Sequence, residues 1–382
     1  MTTHSTLSTT RRWLSAWLCI RRGLWALPLL LLTLAAHAEP YLAVQTGFKC
    51  GQCHVNPTGG GERTAFGNVF AQTQLAAHRI DTGDVWTGEV SRFLSVGGDL
   101  RAQGSYTQQP QTKSTDSFDL EQVRVYASAN VIPQRLFVYV DELVAPNNAT
   151  NREAYAVYWS ANHDWYIKGG QMYLPFGFRL QDQSAFIQEI TGINMASPDH
   201  GVEVGLERGH WDAQLAVSNG TAGGPEVDHG KQYSGQLIYV ESIWRLGLAA
   251  NFNNAAIGNK SAVGLFTGVR TGPIAWLAQV DYTDDKSIDN GLGLKQFGLK
   301  ELATLVEGNW RIAQGHNLKV TGEYLDPNHN IKNNGQTRWS LVYELSPIQY
   351  VQIRAGFRWS DGIPQDPSEH LKFGFVELHG FF

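Results

Sequence analysis

Charge is scarce in this 382-residue chain, where Asp, Glu, Lys and Arg together make up 17%, against the roughly 25% usual in soluble domains. Thiols are scarcer still: 3 Cys are too few for a disulfide scaffold. Beyond the N-terminal segment no apolar run reaches the ~18 residues that a membrane-spanning helix needs, which excludes a helical membrane protein. A net charge of -5 excludes a nucleic-acid partner held by phosphate neutralisation. What the chain does contain is 40 Gly, 12 Trp, 14 Tyr and 17 Phe, with 42% hydrophobic residues overall. That content rules out a disordered chain and leaves two classes, a large soluble enzyme or a β-barrel.

The first 38 residues read as a secretory signal. Arg11, Arg12, Arg21 and Arg22 precede the apolar run Gly23 to Ala36, and Ala36-His37-Ala38 is a small-residue cleavage signature just before Glu39-Pro40. The run is too short for a membrane anchor and contains Pro28. Thr10-Arg11-Arg12-Trp13-Leu14 faintly resembles a twin-arginine signal, but the apolar run and cleavage site after it suit export of an unfolded chain. Cleavage after Ala38 removes four arginines and no acid, which takes the net charge from -5 to -9. Cys19 leaves with the signal, and Leu18 before it does not fit a lipoprotein cleavage box. Two cysteines remain, Cys50 and Cys53.

Cys50-Gly51-Gln52-Cys53-His54 is the C-x-x-C-H pattern of covalent haem attachment. Two thiols one helical turn apart can each form a thioether to a haem vinyl group, and the adjacent imidazole then ligates the iron. The expectation is one covalent haem c on Cys50 and Cys53, with His54 as iron ligand. A redox dithiol would need a βαβ context and a zinc site a fourth ligand; a plain disulfide leaves His54 unexplained. The motif lies in a small domain, Glu39 to Asp84 within residues 39–88. Val55 to Gly61 reads as a loop that follows a haem edge, and no Gly-Lys-Ser/Thr comes after it to make it a P-loop. Phe66, Val69, Phe70, Thr73 and Ala77 recur at helical spacing, and the core that this stripe would pack on is the porphyrin. For the sixth iron position His78 is the candidate inside the small domain. Met172 and Met195, which flank one long inward-folding loop, are its rivals.

From residue 89 to 382 the chain alternates with period two. Val123, Val125, Ala127, Ala129 and Val131 interleave with Gln122, Arg124, Tyr126, Ser128 and Asn130; Trp211, Ala213, Leu215 and Val217 interleave with polar residues; and Val351, Ile353, Ala355, Phe357 and Trp359 do the same. Sixteen strands are expected, starting near residues 91, 118, 134, 151, 163, 200, 210, 231, 242, 262, 273, 297, 316, 337, 347 and 370. Seven short turns alternate with eight mostly longer polar loops, the pattern of an outer-membrane barrel with short periplasmic turns. Trp159, Trp165, Trp211, Trp244, Trp276 and Trp310 fall near short turns, and Trp339 and Trp359 near long loops, as two aromatic girdles would. The terminal Phe381-Phe382, with Leu378 and Val376 alternating before it, resembles the end signal of bacterial outer-membrane barrels. The fold expected is therefore an all-β, sixteen-stranded antiparallel barrel with the small helical domain as a lumenal plug. Val125, Leu215 and Ile353 are expected to face lipid. Arg124, Asp212, Arg245, Asp281, Glu323 and Arg354 are expected to face the lumen, where a change such as Arg124→Gln would be mild.

Gln45-Thr46-Gly47, the Cys50 to His54 motif and Phe66-Gly67 followed by Phe70, ahead of a porin-length barrel, resemble the fused monohaem cytochrome-porin family. The Asn56 to Gly61 stretch looks more like the haem-bearing porins of metal-respiring bacteria. The resemblance implies electron transfer across the outer membrane of a Gram-negative bacterium through one haem c. Its partners would be membrane lipid, a periplasmic electron carrier and an extracellular metal such as Fe(II). Two rivals are a diffusion porin with a structural haem plug and a haem enzyme such as a peroxidase, for which no distal acid-base motif is found. Asp228-His229, Asp284-Asp285 and Asp366 to His370 put carboxylates and imidazoles on outer loops, better read as solvated charges than as metal ligands.

Overall fold

A computed structural model describes residues 39–255, 258–287, 298–363 and 370–382; the expected signal, residues 1–38, lies outside them. A short strand, β1 (Glu89–Ser91), leans on β2 (Leu94–Gln108). From β2 each strand pairs antiparallel with the next, and β17 (Leu371–Phe381) pairs back to β2, which closes a sixteen-stranded barrel. Every strand begins within four residues of its expected start. Closure leaves no unpaired edge, so the ladder satisfies its own backbone donors and acceptors inside a bilayer.

Alternation decides what each face meets. Val125 and Leu215 stand 47% and 55% exposed on the outside, while Arg124, Asp212, Arg245, Asp281, Glu323 and Arg354 are all buried inside. Trp165, Trp211, Trp244, Trp276, Trp310, Trp339 and Trp359 are exposed on the outer wall. A closed barrel with an apolar, Trp-studded exterior is an outer-membrane barrel whose outer wall contacts lipid. Trp159 departs from the expected girdle: it shares the inward parity of Tyr155 and Val157 and packs against their cluster. Ile353 keeps its lipid-side parity beside exposed Phe357, but is only half-buried.

The seven short turns gather at one end, the periplasmic end by the barrel pattern, and residues 89 and 382 lie there too. Inside, the lumen is filled. Tyr41 and Val44 of the N-terminal segment share one apolar core with Phe176, Phe178, Phe186 and Ile187 of the 173–198 connection and with wall residues such as Leu277. Polar anchors complete the seal: Lys319 reaches Glu39 at 2.8 Å, Asn56 donates to Glu153 at 2.8 Å, and the Glu62 amide donates to the Tyr139 hydroxyl at 3.0 Å. The small domain is thus a lumenal plug.

That filling corrects the expectation for Arg124. Its Nε donates to Asp141 at 3.0 Å and its Nη2 to the Tyr173 hydroxyl at 2.8 Å, with Asp141 fully buried. Truncating one partner of a buried ion pair strands the other charge and costs about 3–5 kcal/mol. Arg124→Gln is therefore expected to destabilise as much as Val125→Arg, its neighbour on the lipid face, for which the cost of a charge near the bilayer midplane is about 2–4 kcal/mol. Urea titration of both variants in lipid vesicles measures this; a mild Arg124→Gln would mean that the lumen is wet at Asp141.

Candidate functional site

The plug is built from short pieces, each held by the wall. Helix α1 (Pro40–Thr46) starts on proline, whose missing N–H belongs to a position without an intrahelical partner anyway. It stops at Gly47, which takes φ +76° where its amide bonds back to the Ala43 carbonyl; a Cβ there would also meet the Ser242 carbonyl oxygen at 2.9 Å. Helix α2 (Cys50–Cys53) is a single turn, with the Lys49 amide donating to the Gln52 side chain at 2.8 Å. One turn places both thiols toward the same space. The chain then becomes extended at His54, which pairs antiparallel with Arg63 across the intervening loop.

Helix α3 (Ala65–Phe70) packs directly on α2 because position 67 has no side chain: a Cβ there would lie 2.1 Å from the Cys53 carbonyl oxygen. The expected helix is shorter than its apolar stripe. A π-helical turn, Ala71–Leu75, continues from α3, and the backbone is extended at Ala76. The buried side chain of Gln72 donates to the Asn68 and Trp86 carbonyls and accepts from Tyr350, which ties this turn to the barrel's end. Phe70 lines the central cavity, whereas Phe66 is exposed.

Cys50, Cys53, His54, Phe70, Arg63 and Met195 line one partly open cavity. Both cysteines are free thiols. Burial pushes the Cys50 thiol up to about 11, with Arg245 pulling the other way, and burial raises Cys53 as well. Four cationic side chains, Lys49, Arg63, Arg179 and Arg245, face the cavity against one carboxylate, Glu39. Arg245 donates to the Ala43 and Phe48 carbonyls, and Arg179 to the Thr58 and Gly59 carbonyls. Arg63 lies over the Phe381 ring, 5.0 Å from its centroid, and burial lowers its guanidinium to about 10.

The residues expected at the site divide cleanly. Cys50, Cys53, His54 and Met195 come together. His78 does not: it is exposed at the barrel's end, its amide bonded to the Pro347 carbonyl at 3.1 Å. Met172 is fully buried among Tyr139, Tyr155 and Tyr166, away from the cavity. Of the acidic loops, Asp285 pairs with Lys260 and Asp284 with Lys286, Asp366 to Glu369 lie outside the described residues, and among the described residues no three His, Cys, Asp or Glu group to hold a metal. Of the three cavity arginines, strand parity already turned Arg245 toward the lumen, whereas Arg63 and Arg179 carried no local sign in the sequence, since each is placed by contacts more than a hundred residues away or by the fold of the plug itself.

No protein-family model and no curated protein matches the chain. Solved structures do. The chain is similar to an anion-selective porin from Comamonas acidovorans, at TM-score 0.60 and 10% identity over 76% of this chain and 99% of that chain. It is similar to OmpT of Vibrio cholerae, at TM-score 0.56 and 11% identity over 77% of this chain and 99% of that one. Salmonella typhi OmpF, solved in complex with daunomycin, matches at TM-score 0.57 and 11% identity over 76% of this chain and 97% of its own. The fold is that of a porin. The share of this chain that is covered equals in size the barrel of residues 89–382.

Proposed function

We propose that this porin-like barrel carries one covalently attached haem c in its lumen and passes electrons across the outer membrane. The observation that carries the reading is the common cavity: both free thiols and His54 face one space inside the barrel, roofed by the 173–198 connection. The residues present fit the group. Cys50 and Cys53 would hold it, His54 would ligate its iron, Phe70 offers apolar packing, and the four cations suit its two carboxylates. Haem bound there supplies a reversible one-electron couple. The chain's own part is to exclude water on the lumen side through the apolar core of plug and loop, and to keep positive charge at the cavity rim. The partners would be a periplasmic carrier at the short-turn end and a metal ion such as Fe(II), or another redox partner, at the outer end. The resemblance to fused monohaem cytochrome-porins points the same way.

A second reading, a diffusion porin with a structural haem plug, is favoured by the solved relatives, which are porins and include an anion-selective one. One reconstitution separates the two. Protein in vesicles loaded with oxidised soluble cytochrome c is given external ferrous iron, and the same preparation is examined in a planar bilayer. The electron-transfer reading expects reduction of the trapped cytochrome and little conductance. Porin-sized conductance with a haem inert to external donors would establish the second reading.

A further inference from the structure

We propose that Met195 would supply the second protein ligand of the haem iron, delivered into the lumen by the connection between β6 (Trp165–Met172) and β7 (Asp199–Arg208). The inference rests on the haem reading above. Met195 is 6% exposed, yet it belongs to none of the apolar clusters formed by the described residues. A buried thioether outside the core has its free side toward the cavity. It also stands beside the motif: a Cβ built on Gly60, six residues past His54, would lie 3.9 Å from the Met195 sulfur. Of the residues lining the cavity, His54 and Met195 are the histidine and the methionine; Lys49, the other neutralisable donor, gives its Nζ to the Trp211 carbonyl at 2.6 Å. Paired His and Met ligation is a stable arrangement for haem c and raises its potential.

The position is pinned in advance, which lowers the entropy cost of ligation. Helix α4 (Phe186–Thr191) is anchored to the wall where the Phe186 amide donates to Glu323 at 2.9 Å and Arg338 donates to the Ser184 carbonyl at 2.8 Å. It ends at Gly192, φ +70°. The next turn is closed around Met195 by three bonds: the Asn194 amide to the Ser197 hydroxyl at 3.0 Å, that hydroxyl to the Gly192 carbonyl at 2.7 Å, and the Ala196 amide to the Asn194 side chain at 2.7 Å. Met195 and Gln181 also line the space above, in the outer half of the lumen, with Asp119, Glu121 and Arg358. The sulfur therefore lies at the partition between the cavity and the outward vestibule.

The test uses the full-length purified protein with Met195→Ala, Met195→Leu, Met195→His and, as control, Met172→Ala. Covalent haem is measured by retention after acid-acetone extraction, and ligation by the ferric spectrum. Expected are unchanged covalent haem in all four, loss of the sulfur-to-iron charge-transfer band with a shift to high spin in Met195→Ala and Met195→Leu, and a low-spin spectrum without that band in Met195→His. Met195→Leu keeps the side-chain volume, so a packing defect in Met195→Ala does not decide the outcome. An unchanged spectrum in Met195→Leu with haem retained, or loss of the band in Met172→Ala, overturns this inference alone. Complete extraction of haem from the unmodified protein overturns the haem reading and this inference with it.

Discussion

Acid-acetone extraction is expected to leave haem on the unmodified protein and to remove all of it from the Cys50→Ala, Cys53→Ala double variant. Both thiols of the exported chain sit on one helical turn and face one cavity, so each is placed to close a thioether on the same porphyrin. Burial raises both thiols from their ordinary values. The loss should be all or none for covalent retention, because alanine supplies no sulfur. The barrel itself should survive, since neither cysteine belongs to the apolar core that joins plug, loop and wall. Gel migration of folded against boiled protein checks that point. Haem that washes out of the unmodified protein would end the assignment of this motif.

Deleting residues 39–88 is expected to convert a nearly closed barrel into a conducting one. Sixteen strands enclose a lumen wide enough for water, and the plug occupies the short-turn end of it. Its removal strips partners from Glu153, Tyr139 and Lys319 and takes Tyr41 and Val44 out of the shared core. These wall residues are polar enough to take up water, so the strand ladder should persist while the inward 173–198 connection loosens. The plug by itself should not hold: fifty residues lie near the limit at which a chain buries enough surface to fold without a cofactor or partner. Its anchors are also side chains of the wall. The measurement is single-channel current in a planar bilayer, intact protein against deletion. Equal currents would mean that the plug does not obstruct the lumen.

Much of the architecture was legible because its causes are local. Period-two alternation sets which side chain meets lipid, and turn length sets which end of the barrel a connection occupies, so sixteen strands and their order follow from neighbours in sequence. The placing of both thiols was legible for the same reason: Cys50 and Cys53 lie on one turn of consecutive residues. Turn proximity, not parity, misled at Trp159, where nearness to a short turn suggested a girdle and the strand's register turned the ring inward. Parity said nothing about what fills the lumen. Arg124 read as a water-lined position until Asp141 and Tyr173, brought in by separate segments, made it a buried ion pair.

The choice among His78, Met172 and Met195 shows the division most clearly. By composition alone His78 was nearest the motif in sequence, yet backbone bonding at Pro347 holds it on the barrel's rim. Met172, in register on β6, points into a tyrosine cluster. Met195 reaches the cavity through a connection of twenty-six residues whose path depends on an anchor at Glu323 and a core contact with the plug. The sequence by itself determined the barrel, its facing and the turn that pairs Cys50 with Cys53, because each arises from spacing along one strand or one turn. Only the tertiary structure decided which side chains share the cavity, because those contacts join segments whose mutual placement no local periodicity encodes.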